Sequence, residues 1–287
     1  MPTNSAPVLV LGVTGKTGRA VARALLSRGA TVRGLSRQPS PEVPPGVELI
    51  TGDLLTGQGL DQALAGAGAV HFIAPNLSAD ETSMMATLID AAQRHDVSRV
   101  VMHSVMHPHV SSMPHHWRKA EAEQLLRAST AEWTILQPAA YHQNLFAGLG
   151  QGQVRVPYSL TQPFTNVDLG DVAEVSAAIL LDEPLASGAP SQHRFATYEL
   201  AGPQRLSVTE MAEQATAVVG RPVRAVRAAP PEGQNLRISS ELLAMFDHYN
   251  SHGFVGSPTI LAHLLGRTPT SWRHALANHL SHHPDNT

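Results

Sequence analysis

Short apolar runs alternate with stretches of helical periodicity along the first half of the chain. The runs are rich in Val, Ile, Leu and Phe and have the length of buried strands. They cover residues 8–13, 31–36, 47–51, 69–74, 99–105 and 133–138. Between them, apolar positions recur about every three to four residues, which is typical of helices that bury one face on a sheet. The alternation predicts an α/β fold with a doubly wound, Rossmann-type parallel sheet.

The pattern becomes irregular after Pro138, where several glycines interrupt it. A helix is predicted over residues 169–181 and is expected to return to the sheet. A strand, a helix, a second strand and three helical segments are predicted next, over residues 195–200, 208–219, 223–227, 241–252, 258–265 and 271–280. We therefore expect a larger domain over residues 1–147 and a smaller α+β domain over residues 148–287.

Composition excludes several classes of protein. The 287 residues are 43% hydrophobic and 15% charged, and a net charge of −3 without runs of like charge gives no electrostatic footprint for nucleic acid. No stretch approaches the roughly 18 apolar residues of a membrane span, and the N-terminus has no signal pattern, so we expect a cytoplasmic protein. The absence of Cys excludes disulfides, thiolate metal sites and cysteine nucleophiles.

A glycine-rich motif, GVTGKTG, follows the first predicted strand and precedes the first predicted helix. Glycines at this point allow a tight turn, bring backbone N–H groups close to a pyrophosphate and let the helix approach the strand. The position of the motif therefore predicts a dinucleotide site. The predicted contacts within the turn are Gly12, Thr14, Gly15, Lys16, Thr17 and Gly18.

The end of the second predicted strand indicates which dinucleotide binds. Sites for NAD usually carry a carboxylate there, whereas a basic residue accommodates the 2′-phosphate of NADP. Arg37 occupies this place, no carboxylate occurs from residue 30 to residue 41, and Lys16 and Arg19 add positive charge. NADP(H) is therefore favoured, with a solvent-exposed structural arginine as the alternative for Arg37. Asp53 is either an adenine contact or a plain loop carboxylate.

These motifs, with others further along the chain, resemble the NmrA-like branch of the atypical short-chain dehydrogenase/reductase superfamily. The further motifs are GDL at 52–54, MPHHWRKAEAEQLLRAS at 113–129, WTILQPAAYHQNLF at 133–146, VDLGDVAE at 167–174 and YELAGP at 198–203. The resemblance implies an NADP(H)-binding Rossmann domain over residues 1–147 and a substrate-binding part over 148–287. We also predict cofactor contacts from Ala74, Lys119, Pro138 and Tyr141.

The chain departs from the usual chemistry of that superfamily, in which a Tyr-x-x-x-Lys pair places a tyrosine and a lysine one helical turn apart. None of the four tyrosines stands four residues before a lysine, and His115 occupies that place before Lys119. In the NmrA-like reductases a lysine on this helix is the residue usually implicated, and the resemblance carries that role to Lys119. Gln137 is a second departure, because many relatives have Arg in this strand-end motif.

Three residues are the candidates for catalysis. His115 and Lys119 share a helix face, and Ser104 lies at the end of the fifth predicted strand and is expected to point into the same cleft. A substrate that accepts a hydride also needs a proton, which either an imidazole or a buried lysine can supply. The alternatives are structural: His115 lines the helix start, and Lys119 lies on a solvated helix face.

Four residues are the candidates for contact with substrate: His103, His116, Phe246 and Tyr249. The last two lie in an apolar C-terminal segment broken by glycines, which is typical of hinged helices, although core packing explains the same pattern. His103, His107 and His109 have a spacing that resembles metal ligands, but no Cys or acidic residue completes the set, so we predict no metal.

The leading functional hypothesis is an NADPH-dependent reductase that acts on a quinone, enone or carbonyl of a bulky hydrophobic, aromatic small molecule. The alternative is a non-catalytic NADP(H)-binding redox sensor that acts through a protein partner. No nucleic acid or membrane partner is expected, and the chain is expected to be a monomer or a homodimer.

Overall fold

The structure is a computed structural model that describes residues 6–97, 99–181, 193–231 and 235–282. The chain divides into two compact units, and each is built from separate segments. The first unit consists of Met1–His109, Trp117–Gln137 and Val172–Tyr198. The second consists of Val110–His116, Pro138–Asp171 and Glu199–Thr287. This division differs from the sequence-based limits at three places: residues 110–116 and 138–147 belong here to the second unit, and residues 172–198 belong to the first.

Parallel strands form the central sheet, as the sequence pattern predicts. The described strands of both sheets are β1 (Val8–Leu11), β2 (Val32–Ser36), β3 (Val47–Thr51), β4 (Ala69–Phe72), β5 (Arg99–His103), β6 (Glu132–Pro138), β7 (Gln153–Val156), β8 (Ala196–Leu200) and β9 (Arg224–Arg227). Seven of them pair in the order β3-β2-β1-β4-β5-β6-β8, and the pairs from β3 to β6 are parallel. The order reverses at β1, which lies between β2 and β4, and this confirms the doubly wound Rossmann sheet.

Helices connect and cover these strands. They are α1 (Lys16–Leu26), α2 (Leu60–Leu64), α3 (Glu81–Arg94), α4 (Pro114–Ala128), α5 (Leu169–Leu180), α6 (Val208–Val219), α7 (Leu236–His252), α8 (Thr259–Leu265) and α9 (Trp272–His282), with a 3₁₀ helix at His142–Gln151. In α1 the buried residues Thr17, Val21 and Leu25 recur every fourth position, so one face packs inward. The chain leaves this helix near Gly29, whose φ of 76° is the left-handed conformation that glycine favours.

A large apolar cluster of the first unit covers one face of the sheet. Side chains alternate along a strand, so Val70 and Phe72 of β4 are separated in sequence by a residue that faces the other way. The helices α2, α3 and α4 supply the opposite side of this cluster. Its fully buried members include Leu9, Leu60, Leu64, Val70, Phe72, Met85, Leu88, Val100, Met102, Ala122, Leu126 and Ile135.

The second unit contains a small sheet in which β7 and β9 pair in parallel. Helix α6 has a capping box, since Ser207 and Glu210 satisfy each other's backbone N–H groups. The fully buried Trp272 at the start of α9 donates from Nε1 to the carbonyl of Met211 over 2.9 Å. The sequence did not predict β7, α2 or the 3₁₀ helix, because each is too short or too glycine-rich for its periodicity to be recognised.

No described helix combines the length and the apolar character that a membrane span requires.

Two histidines are buried within the sheet of the first unit. His71 on β4 and His103 on β5 have ring centroids 5.6 Å apart. Among the described residues, neither ring nitrogen of His71 has a hydrogen-bond partner. Burial lowers the pKa of His71 to about 4, and burial together with the nearby His71 and Lys119 lowers the pKa of His103 well below its usual range. Both imidazoles are therefore neutral at physiological pH.

We expect His71 to make the protein sensitive to acid. Between its unfolded pKa of 6.5 and its folded pKa of about 4, the unfolded chain binds a proton that the folded chain does not. Stability is therefore lost as pH falls through this window, by up to about 3 kcal/mol from this residue. The variant His71→Leu should lose less stability than the wild type when urea unfolding is compared at pH 7 and pH 4.

His263→Gln is the matched control, because His263 is exposed on α8. It should keep the pH dependence of the wild type. The same slope of stability against pH in His71→Leu and wild type would contradict the role assigned to His71.

Candidate functional site

The glycine-rich turn between β1 and α1 leaves no room for side chains. Gly12 has a φ of 67°, and a Cβ there would lie 2.5 Å from Cγ2 of Ile73. A Cβ on Gly18 would lie 2.2 Å from the carbonyl oxygen of Gly12. The N–H of Gly15 donates to that same oxygen over 2.9 Å. The backbone of the turn is thus pressed against the start of α1, as the sequence predicts for this motif.

The N-terminus of α1 is suited to an anion. Its N-cap residue is Gly15, which offers no side-chain acceptor to the first N–H groups of the helix, and its first turn has no acidic residue. Unpaired N–H groups and the positive end of the helix dipole favour a phosphate at such a position. Gly15 and Lys16 are exposed, whereas Thr17 is buried against the sheet. The residues of the turn therefore fit the pyrophosphate of a dinucleotide.

The positive charge near this turn is smaller than the sequence indicates. Arg37 follows β2 directly and is exposed. Arg19, which the sequence analysis counted as a further positive group, forms an ion pair with Glu42 in the loop after β2. Glu42 lies one residue beyond the carboxylate-free stretch of residues 30–41. Arg37 is consequently the main candidate for contact with a 2′-phosphate.

Asp53 and Ala74 lie in the same unit as the turn. Oδ1 of Asp53 accepts a hydrogen bond from the N–H of Leu55 over 2.8 Å, and its backbone N–H donates to Gln58. This is the local role expected of a loop carboxylate, and the adenine contact of Asp53 stays a prediction. Ala74 is buried two residues after β4, which pairs with β1 in parallel, so both strands end at the same edge.

Lys119 is buried and paired. It is 7% exposed, and its Nζ donates to Oε1 of Glu81 over 2.9 Å. Glu81 is fully buried and is the first residue of α3. The burial of Lys119 excludes the alternative in which it lies on a solvated helix face. Sequence analysis did not single out Glu81, because nothing in its spacing indicates a partner 38 residues away.

Glu123, one turn further along α4, is also a buried carboxylate. It accepts hydrogen bonds from Ser104 over 2.5 Å, from Gln137 over 2.8 and 3.0 Å, and from Arg127 over 2.9 Å. Gln137 thus binds a carboxylate whose charge is balanced by Arg127. The hydroxyl hydrogen of Ser104 is directed at Glu123. The hydroxyl oxygen of Ser104 can therefore act only as a hydrogen-bond acceptor toward any other group.

Several predicted residues lie in the second unit. Pro138 is buried at the end of β6, and Tyr141 forms an isolated parallel bridge with Val167. His115 and His116 are both buried, and their rings are 5.9 Å apart. The structure thus places His115 and His116 in the second unit and Lys119 in the first. The roles of these residues toward cofactor and substrate stay predictions.

Phe246 and Tyr249 belong to an aromatic cluster of the second unit. The ring of Tyr249 is 5.5 Å from that of Tyr158 and 5.1 Å from that of Phe254. Burial raises the pKa of both Tyr158 and Tyr249, so neither phenol ionises at neutral pH. Both predicted substrate contacts are mostly buried, with 7% of Phe246 and 6% of Tyr249 exposed. Their contact with substrate therefore stays a prediction, and close ring packing is what the structure displays.

Across the described ranges, no three His, Asp or Glu side chains come together as a metal site.

Comparison with a family model places this geometry among known proteins. The model of the NAD(P)H-binding family matches residues 12–183, which begin at the first glycine of the turn and include Lys119. Two curated relatives are reductases. One is (4-alkanoyl-5-oxo-2,5-dihydrofuran-3-yl)methyl phosphate reductase of Streptomyces griseus, 30% identical over 76% of this chain and 75% of its own length. The other is NAD(P)H azoreductase of Xenophilus azovorans, 30% identical over 76% of each chain.

Solved structures share the fold at lower identity. An NADPH-dependent quinone oxidoreductase from Escherichia coli, complexed with NADPH, is 20% identical with a TM-score of 0.77, over 96% of this chain and 99% of that one. NmrA, a negative transcriptional regulator in complex with NAD, is 17% identical with a TM-score of 0.77, over 96% and 95%. These structures confirm the Rossmann fold predicted from the sequence, which the chain shares with NmrA, and the family model confirms the nicotinamide dinucleotide.

We expect Gly18→Ala to weaken NADPH binding at least tenfold, because its Cβ would collide with the carbonyl of Gly12 and move the helix away from the turn. Overpacking of this kind also costs about 1–3 kcal/mol of stability. Calorimetric titration with NADPH measures the first effect. In the control Gly29→Ala the new Cβ meets nothing within 4 Å, so NADPH affinity should be unchanged. Stability should fall, because alanine is strained at the positive φ of this position. Equal affinities in Gly18→Ala and wild type would contradict this assignment.

NADPH should bind the wild type at least tenfold tighter than NADH, a difference of about 1.4 kcal/mol. Arg37→Asp should reverse this preference, because it repels the 2′-phosphate and offers the ribose hydroxyls an acceptor. Calorimetry with both dinucleotides measures the ratio. Arg23→Asp, at an exposed site in the last turn of α1, makes the same change of charge and should leave the ratio unaltered. Equal affinities of the wild type for both dinucleotides would refute the preference.

Proposed function

The chain belongs to the NAD(P)H-binding family, and we propose that it is an NADPH-dependent reductase of bulky hydrophobic small molecules with a conjugated, electron-poor acceptor such as a quinone, an enone or a carbonyl. The observation that carries this proposal is the buried Lys119, which is held by Glu81 in the same compact unit as the glycine-rich turn. A protein that only binds a dinucleotide has no need of a buried, oriented ammonium.

The bound cofactor supplies a hydride, and the protein has to supply what accompanies it. When a conjugated acceptor gains a hydride, negative charge develops on its oxygen, and that charge is neutralised by one proton. The Nζ of Lys119 carries donatable protons, is shielded from water and is fixed in direction by Glu81. We assign to Lys119 the stabilisation of this oxygen and the transfer of the proton, which are the tasks of a general acid.

The other two catalytic candidates, Ser104 and His115, are assigned different roles. Ser104 directs its hydrogen to Glu123, so we assign it acceptance of a hydrogen bond and not donation of the proton. His115 remains the alternative proton donor, since an imidazole exchanges protons near neutral pH. It lies one helical turn before Lys119 on α4, whose N-terminal turn belongs to the second unit.

Two arguments support the substrate class. The name of the Streptomyces griseus reductase describes a ring double bond conjugated with two carbonyl groups. The Xenophilus azovorans relative is an azoreductase, and azo compounds have an N=N double bond. Both are conjugated acceptors of a hydride. In this chain the aromatic cluster of the second unit, which includes His116, Phe246 and Tyr249, offers the flat apolar side chains that such compounds favour.

The decisive experiment replaces Lys119 and follows NADPH oxidation with a panel of quinones, enones, azo compounds and phenolic ketones. Lys119→Met should lower kcat by roughly 10² to 10⁴, the usual contribution of a positioned acid, while NADPH affinity falls much less. Because this change leaves Glu81 buried without its cation, the double variant Lys119→Met/Glu81→Gln should show the same loss in a more stable protein. Gln124→Met, at an exposed site on α4, is the control and should retain activity.

His115→Gln separates the two proton donors. If the imidazole relays the proton, turnover falls and the pH profile changes near neutrality; if His115 only lines the start of the helix, both remain as in the wild type. Failure of the wild type to oxidise NADPH with any compound of the panel, together with unchanged NADPH binding in the Lys119 and His115 variants, would contradict the reductase and favour the sensor.

A further inference from the structure

Two carboxylates are buried among the described residues of the first unit, and they differ in how their hydrogen bonds are satisfied. Glu123 engages both oxygens with donors from Ser104, Gln137 and Arg127. Glu81 is fully buried, and its Oε1 accepts from Lys119. Among the described residues, Oε2 of Glu81 has no hydrogen-bond donor. Glu123 is thus a fully satisfied structural group, whereas Glu81 is buried at a cost.

Burying a carboxylate with one oxygen unbonded lowers the stability of the protein, and pairing with one ammonium offsets only part of that loss of free energy. The position of Glu81 in the first turn of α3 recovers a further part, because the helix dipole favours negative charge there. Buried charges of this kind concentrate at functional sites, where they fix the state of a neighbour. The neighbour here is Lys119, whose flexible four-carbon stem has no preferred direction without a partner.

We propose that Glu81 is the positioning residue of Lys119: its carboxylate fixes the direction of the ammonium and stabilises its positive charge by direct contact. This inference deepens the proposed function, on which its catalytic consequence rests. Its chemical consequence, the protection of the Lys119 amine, is independent of any activity.

The charges around Lys119 make Glu81 the group that matters. From β5, His103 is a neutral imidazole near Lys119. On α4 itself, Glu123 lies one turn after Lys119 and is already paired with Arg127, and His115 lies one turn before it. From α3, Glu81 forms the ion pair. An opposite charge in direct contact favours the protonated form of an amine by roughly tenfold or more. Removing the charge of Glu81 in Glu81→Gln should therefore change the reactivity of Lys119 more than that of any other group.

The test uses the fact that the chain has two lysines, Lys16 and Lys119. Acylation with a small anhydride at pH 8, followed by mass spectrometry, gives the rate at each lysine separately. In Glu81→Gln the rate at Lys119 relative to Lys16 should increase roughly tenfold, because the neutral amine is the reactive form and the anion that suppresses it is gone. An unchanged ratio in folded Glu81→Gln would overturn the inference, whatever the activity of the protein.

Kinetics provides the second measurement. The high-pH limb of kcat/KM should move about one unit to lower pH in Glu81→Gln, so that the variant is impaired at pH 8 and near wild type at pH 6. A uniform loss at both pH values would indicate a merely structural role and would overturn the positioning. If acylation responds as expected but neither the wild type nor any variant turns over, the positioning of Lys119 by Glu81 is supported and the reductase activity is contradicted.

A matched control and a milder variant complete the design. Asp171, in the first turn of α5, is also a buried carboxylate that forms an ion pair, and its partner is Arg267 at 2.8 Å. Asp171→Asn should lose stability and keep the acylation ratio of the wild type. Should Glu81→Gln fail to fold, Glu81→Asp keeps the charge but withdraws it by one methylene, and an acylation ratio two- to fivefold above wild type is expected. No increase in Glu81→Asp would overturn the inference.

Discussion

Parallel pairing of β1, β4, β5 and β6 is the constraint on which the site depends. Neighbouring parallel strands end at the same edge, so the segments that follow them meet there although they are far apart in sequence. The glycine-rich turn follows β1, Ala74 follows β4 and Ser104 follows β5. The helices that cross back over the sheet bring Glu81 and Lys119 to the same unit. Each of these residues is placed by the sheet, and none by its own local sequence.

Polar groups at such an edge have to be satisfied within the protein, and this explains the pairings observed. Glu123 is balanced by Arg127 and by two neutral donors, and Glu81 by Lys119. His71 and His103 meet the same demand in another way, since they stay neutral in the interior. Burial therefore decides the protonation of the histidines, whereas the lysine is paired with an anion.

The local elements of the fold could be predicted from the sequence, because strand and helix periods are local properties. The six strands of the first half, the glycine-rich turn and the helix from Leu169 follow directly from it. The partners of Lys119 and Arg19 could not be predicted, because an ion pair between distant residues leaves no periodic trace. Glu81 lies 38 positions from Lys119, and Glu42 lies 23 from Arg19. Sequence reasoning thus identified the basic residues but not the carboxylates that restrain them.

The balance of Glu123 has an evolutionary consequence. Its cation, Arg127, lies four residues away on the same helix, so α4 carries charge and countercharge together. Position 137 on β6 then needs only to donate hydrogen bonds, which an uncharged amide does. An arginine in place of Gln137 would bring a counterion from the strand, and the charge of Arg127 would then no longer be needed. The two positions are therefore coupled, because a basic residue at one relaxes the demand on the other.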